Sequence, residues 1–331
     1  MRHCGISETG RALGVAALLL VSFWAGPVEA QGVFEAVGER ALGMAGAFVA
    51  VADDSTAVHW NPAGLVGGSP VGMTIGWHQF QLGNQDGPAA GPGSRGRTSL
   101  TSLGSWPLGV SYGLFDRTGI RADASGPAGY RLRVRHAGVT ILQSVLDGLV
   151  VGTTVKVLRG NWEDRTVDGT SLTAALEHGT VVAEGGRTAL DLDIGVMASA
   201  PRVRVGLTLR NLRSPSFRAV AGTWATVPRQ ARVGLAVLPA DGVTLAMDVD
   251  LNTVDLLGDL RRMYALGAEA RLAARVVVRS GLRWNLAKSS GVTGALGASL
   301  GVRRGLWLDA HVATGESGEG REVGAALRAG F

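Results

Sequence analysis

Thr244-Leu245-Ala246-Met247-Asp248-Val249-Asp250-Leu251 decides the fold class, because its odd positions are large and apolar and its even positions are small or acidic. A period of two describes an extended strand with two unlike faces. The same pattern recurs upstream. Leu190, Leu192, Ile194 and Val196 alternate with Asp191, Asp193 and Gly195. Val203, Val205, Leu207 and Leu209 alternate with Arg204, Gly206, Thr208 and Arg210. One face is aliphatic throughout, and the other is small, polar or charged.

Extending the count outward gives about fourteen candidate strands of about 10–14 residues, the length a tilted membrane strand needs. They fall near 70–82, 97–106, 108–117, 130–144, 148–160, 187–199, 201–213, 229–239, 241–252, 260–272, 274–286, 290–301, 304–314 and 320–331. Short turns such as Trp106-Pro107, Ala200-Pro201 and Arg303-Arg304 alternate with longer connections at 83–96, 118–129, 161–186, 214–228, 253–259 and 315–319. Membrane barrels combine short turns on one side with long loops on the other. A soluble sandwich has no reason to alternate in this way. Val323, Ala325, Leu327, Ala329 and Phe331 close the chain as an alternating strand ending on an aromatic. Phe331 resembles the terminal signal read by barrel-assembly machinery. Aromatic residues are sparse, at 5%. Trp106, Tyr130, Tyr264, Trp284 and Trp307 are expected to form a thin girdle near the strand ends.

The N-terminus reads as an export signal. Arg2, His3 and Arg11 precede the apolar run from Ala12 to Gly26, and Val28-Glu29-Ala30 supplies a cleavage site. Residues 1–30 are expected to be removed. Composition agrees with an exported barrel. Hydrophobic residues make up 46% and charged residues 18%, too apolar for a disordered chain. Fifty of the 331 residues are glycine, which argues against a helical bundle. The net charge of +5 comes without a lysine cluster, so no nucleic-acid partner is expected. Cys4 is the only cysteine, which rules out an intrachain disulfide or a thiolate metal cluster.

Residues 38–66, GERALGMAGAFVAVADDSTAVHWNPAGLV, do not alternate. Arg40 to Phe48, then Ala52-Asp53-Asp54, then Asn61-Pro62-Ala63-Gly64, resemble the outer-membrane family of the long-chain fatty-acid transporter FadL and its PorV and PorQ relatives. The resemblance implies an all-β, fourteen-stranded transmembrane barrel over 70–331, with residues 31–69 as a plug (hatch) in its lumen. It places Asn61, Pro62, Ala63 and Gly64 in that plug, although such a motif also simply shapes a turn.

Catalytic motifs find no support. Gly109-Val110-Ser111-Tyr112-Gly113 and Gly297-Ala298-Ser299-Leu300-Gly301 fit the GxSxG string, but both lie inside candidate strands, where a nucleophile elbow cannot form. No HExxH or EF-hand spacing occurs, so neither metal nor cofactor is expected. Charges on the alternating face are expected to point inward, since facing lipid costs several kcal/mol near the midplane. These are Arg131, Arg133, Arg135, Asp191, Asp193, Arg204, Arg210, Arg232, Asp248 and Asp250. They suit either a ladder of paired charges that holds a plug or closes the lumen, or a path for an anionic ligand, and the presence of both signs favours the ladder.

The expected environment is outer-membrane lipid in a Gram-negative-type envelope. The resemblance implies passage of hydrophobic small molecules. Its PorV side implies a different, non-enzymatic role as a partner in protein secretion or surface attachment. A continuous apolar pocket reaching the lumen would favour transport over the partner role.

Overall fold

The computed structural model describes residues 37–83, 93–123, 126–168, 171–218, 224–256, 259–287, 291–315 and 320–331. The export signal lies outside them. The strands are β1 (Gly72–Leu82), β2 (Gly93–Ser105), β3 (Leu108–Asp123), β4 (Gly126–Leu146), β5 (Leu149–Arg165), β6 (Val181–Ala200), β7 (Val203–Arg210), β8 (Ser216–Arg218) and β9 (Trp224–Thr226). They continue with β10 (Gln230–Ala240), β11 (Val243–Asp250), β12 (Val254–Leu256), β13 (Asp259–Arg261), β14 (Met263–Ala273), β15 (Val276–Asn285), β16 (Val292–Arg303), β17 (Leu306–Gly315) and β18 (Gly320–Gly330). Fourteen of them form one closed barrel, in the order β1-β18-β17-β16-β15-β14-β11-β10-β7-β6-β5-β4-β3-β2. The pairing of β1 with β18, from Gly72 opposite Gly330 to Leu82 opposite Gly320, closes it. Two small hairpins, β8–β9 and β12–β13, form sheets of their own outside the barrel's strand order.

The alternating pattern turns the aliphatic residues outward. Ile75, Val139, Ile141, Val155, Leu245, Leu300, Leu308 and Val312 are all exposed. A closed ring of strands with large aliphatics outside and small or polar residues inside is a membrane barrel, because only lipid covers so large an apolar belt.

The strands on one side run well past that belt. β4 has 21 residues and β6 has 20, where about 10 cross the hydrocarbon. Much of the connections expected at 118–129 and 161–186 is therefore strand, together with helix α1 (Leu172–His178). Beyond the belt the two faces exchange character. The inner face of β4 passes from Thr140 and His136 to Val134, Leu132 and Tyr130, all buried. Its outer face passes from Ile141 and Val139 to Arg135, Arg133 and Arg131. Leu132, Val134, Leu158, Trp162 and Phe217 belong to one buried apolar cluster at this level. Tyr130 belongs to it, stacked on Trp162 at 5.2 Å, and is not a girdle residue.

Of the chain before β1, residues 37–65 lie inside the ring. The segment holds short helices at Glu39–Gly43 and Ala57–Trp60 and a 3-10 turn at Pro62–Gly67. Residues 41–52 are buried throughout. The glycine excess finds its use here. A methyl carbon placed at Gly281 on β15 would come within 2.6 Å of the Met44 carbonyl oxygen and 2.7 Å of the Ala45 nitrogen. At Gly152 on β5 it would come within 2.5 Å of the Ala63 nitrogen. At these two points the wall is bare of side chains where the segment's backbone touches it.

Candidate functional site

The lumen and the segment that fills it make up the candidate site. Asn61 is fully buried, and its side chain satisfies both of its ends. Its Nδ2 donates to the Val49 carbonyl at 2.9 Å and to the Val196 carbonyl of β6 at 3.1 Å, while its Oδ1 accepts from the Ala63 N–H at 3.2 Å. Pro62 opens the 3-10 turn, and Gly152 and Gly195 leave room for it on β5 and β6. Gly64 lies so close to the Ala52 carbonyl that any side chain would collide with it. The four motif residues thus fold one corner of the segment and bond it to the wall. Trp60 donates its indole N–H to the Val37 carbonyl at 2.8 Å and meets Phe48 edge-on.

Ion pairs hold the rest. Arg40 forms a two-pronged contact with Glu269 of β14, at 2.7 and 2.8 Å, and also pairs with Asp53 and Asp54. The neighbouring carboxylates hold its guanidinium well above the ordinary arginine range, despite the opposing effect of burial. Arg279 pairs with Glu269 at 2.6 Å from the other side. Arg204 reaches Asp53 at 3.1 Å. One oxygen of Asp248 accepts the backbone N–H groups of Phe48 and Val49, both at 2.9 Å. Glu39 differs. Burial pushes its carboxyl up to about 8 against the opposing effect of its own backbone N–H, helped by Asp309 and Asp54, and among the described residues no other group bonds to it.

The expected inward charges divide into two groups. Asp191, Asp193, Arg210, Arg232, Asp248 and Asp250 are buried on the luminal face, and Arg204 shares that face near the short turns. Arg232 pairs with Asp250 at 2.6 Å, and Asp193 with Lys156 at 2.8 Å. Asp191 accepts the Arg213 N–H at 2.9 Å. Arg210 comes within 3.4 Å of His59. Arg131, Arg133 and Arg135 require a correction, because they lie on the outer face. Arg131 and Arg133 pair there with Asp116 at 2.6 and 3.2 Å. The lipid penalty that argued for an inward direction does not apply above the apolar belt. Phe331 is exposed, and its backbone N–H donates to the Val71 carbonyl at 2.9 Å.

Arg40, Lys156, Glu269, Arg279 and Glu322 carry luminal charge that sequence reading missed, and Glu39 adds a buried carboxyl beside them. Alternation would have found Glu269 and Glu322 on their strands. The partners of Arg40 are set by the closed ring and leave no local signal.

Both GxSxG strings lie in strands, β3 and β16. Ser111 is 3.3 Å from His136, and Ser299 bonds to Asp309. Neither serine sits on the sharp strand-to-helix turn of a nucleophile elbow. A cavity of about 610 Å³ opens at the long-loop rim, against β15–β18 and β1. Leu282, Leu296, Val312 and Val323 line it from the outer face, and Phe80, Ala295, Ala313 and Glu322 from the luminal face.

Comparison with solved structures recovers this architecture. The toluene transporter TbuX of Ralstonia pickettii matches with a TM-score of 0.63 at 14% identity, over 90% of this chain and 99% of that one. The CymD monoaromatic hydrocarbon channel matches with a TM-score of 0.62 at 15% identity, over 90% and 99%. A FadL homologue of Pseudomonas aeruginosa gives 0.58 at 11% identity, over 92% and 98%. The fold is that of the FadL-type barrels. A family described as F plasmid transfer operon, TraF, protein matches residues 145–250, less than half of the chain. No curated protein sequence matches it.

Proposed function

We propose that the chain is a non-enzymatic outer-membrane barrel that passes small hydrophobic molecules, with the N-terminal segment as its plug. The observation that carries this reading is the rim cavity. It is mostly apolar, and Phe80, Ala295 and Ala313 extend it to the luminal face. A largely apolar concavity with a few polar groups is what a small hydrophobic solute needs. The shared fold with TbuX and CymD, a toluene transporter and a monoaromatic hydrocarbon channel by description, supports the substrate class.

The test is uptake of labelled toluene by cells carrying the barrel. Filling the cavity with Ala295→Trp and Ala313→Trp is expected to reduce uptake to the level of cells lacking the protein. Unchanged uptake through a folded double variant would contradict the proposal. A second reading, a partner in protein secretion or surface attachment, draws on the side chains that fill the lumen around Phe48 and Trp60. A stoichiometric protein retained in mild detergent, without toluene uptake, would favour it.

A further inference from the structure

His78, His311 and Glu322 lie far apart in sequence and close together in space. β17, β18 and β1 are adjacent in the wall, and both His78 and His311 stand directly opposite Gly324 of β18. With no side chain on Gly324, the two imidazoles approach across it, their ring centroids 5.4 Å apart. A methyl carbon there would lie 2.7 Å from His311 Cε1 and 3.0 Å from a Glu39 carboxylate oxygen. Glu322 stands two residues along β18 on the same luminal face. Its Oε2 is 3.8 Å from His78 Nε2.

The polar groups in this cluster are almost wholly buried and poorly satisfied. His78 and His311 are each 2% exposed, Glu322 is 5% exposed and Glu39 1%. Among the described residues, no ring nitrogen of either histidine has a hydrogen-bond partner, and neither does Glu322 Oε2. Buried polar atoms in folded proteins nearly always find a partner, so four ring nitrogens and a carboxylate oxygen without one need an explanation. A shared ligand supplies one.

We propose that His78, His311 and Glu322 form a luminal binding site for a borderline first-row divalent cation, with Zn²⁺ the best fit. Two imidazoles and one carboxylate suit zinc-like ions over calcium or magnesium, which prefer all-oxygen sites. One donor atom from each residue lies within 4.8 Å of the others. Tetrahedral zinc places its ligand atoms about 3.3 Å apart. The difference of about 1.5 Å is within reach of side-chain rotation. Arg283 donates to Glu322 Oε1 and so leaves Oε2 for the ion. This is the second-shell arrangement that orients a ligating carboxylate. A water molecule would complete a fourth position. Glu322 also lines the rim cavity, which gives an ion a way in. Asp309 is occupied by Arg328 and Ser299 and takes no part. No metal was expected from the sequence, because the three ligands share no local spacing motif.

The test uses the untagged full barrel in mild detergent, stripped with chelator and titrated with Zn²⁺ and with Co²⁺. One Zn²⁺ per chain is expected to survive gel filtration. Co²⁺ is expected to give the visible absorption of a four-coordinate nitrogen–oxygen site. His78→Ala and His311→Ala should each lose the stoichiometric ion, while His178→Ala, on the exposed face of α1, should keep it. Heat-modifiable gel mobility checks that each variant has folded. A folded wild-type barrel that retains no stoichiometric Zn²⁺ would overturn the proposal whether or not the variants fold. Undiminished binding by both folded histidine variants would overturn it equally.

Discussion

Replacing Gly281 by leucine is expected to expel the N-terminal segment from the lumen while leaving the barrel closed. Gly281 faces inward on β15, and even one methyl carbon there would overlap the backbone at Met44 and Ala45. Backbone cannot turn aside as a flexible side chain can. Overpacking a filled core costs about 1–3 kcal/mol for extra methylenes, and a leucine against backbone belongs at or above the top of that range. The strand's lipid face and its pairing with β14 and β16 are untouched. Limited proteolysis with mass mapping checks this. The variant should lose residues up to about 69 at protease levels that leave the parent intact, and both should keep the heat-dependent gel shift of a folded barrel.

Arg40→Met tests the other force holding the segment. Removing one member of a buried ion pair costs about 3–5 kcal/mol, because its partners keep their desolvation without their counter-charge. The loss should fall toward the lower end of that range. Arg279 still neutralises Glu269, and Arg204 still reaches Asp53. Asp54 alone loses its only ion-pair partner among the described residues. Thermal unfolding followed by protease protection of the segment should show a lower midpoint. Arg40→Lys should recover only part of it, since an ammonium cannot reproduce the two-pronged contact with Glu269.

The wall was legible in the sequence because lipid imposes one rule on every strand it touches. Leu245, Met247 and Val249 face outward and Asp248 and Asp250 inward by the same period that put Val203 and Val205 outside and Arg210 inside. That rule lapses where the lipid ends. Arg131, Arg133 and Arg135 keep the parity of Val139 and Ile141, but they stand in water, where the polar face belongs outside and Leu132 and Val134 belong inside. The segment that holds Asn61-Pro62-Ala63-Gly64 has no period, so only the resemblance gave an expectation for its place. The grouping of His78, His311 and Glu322, and the pairing of Arg40 with Glu269, depend on which strands meet when the ring closes. No local pattern carries that information.

The most direct test of the account is a disulfide between the segment and the wall. Ser55 Oγ and Ser102 Oγ of β2 lie 3.0 Å apart, both buried. The chain's only cysteine is Cys4, within the expected export signal, so the mature barrel offers a clean background. Ser55→Cys combined with Ser102→Cys is expected to cross-link almost completely on mild oxidation in isolated membranes. Toluene uptake should stop until a reductant is added. A folded double variant that forms no cross-link, or one that cross-links and transports at the reduced rate unchanged, would contradict the claim that this segment plugs the path.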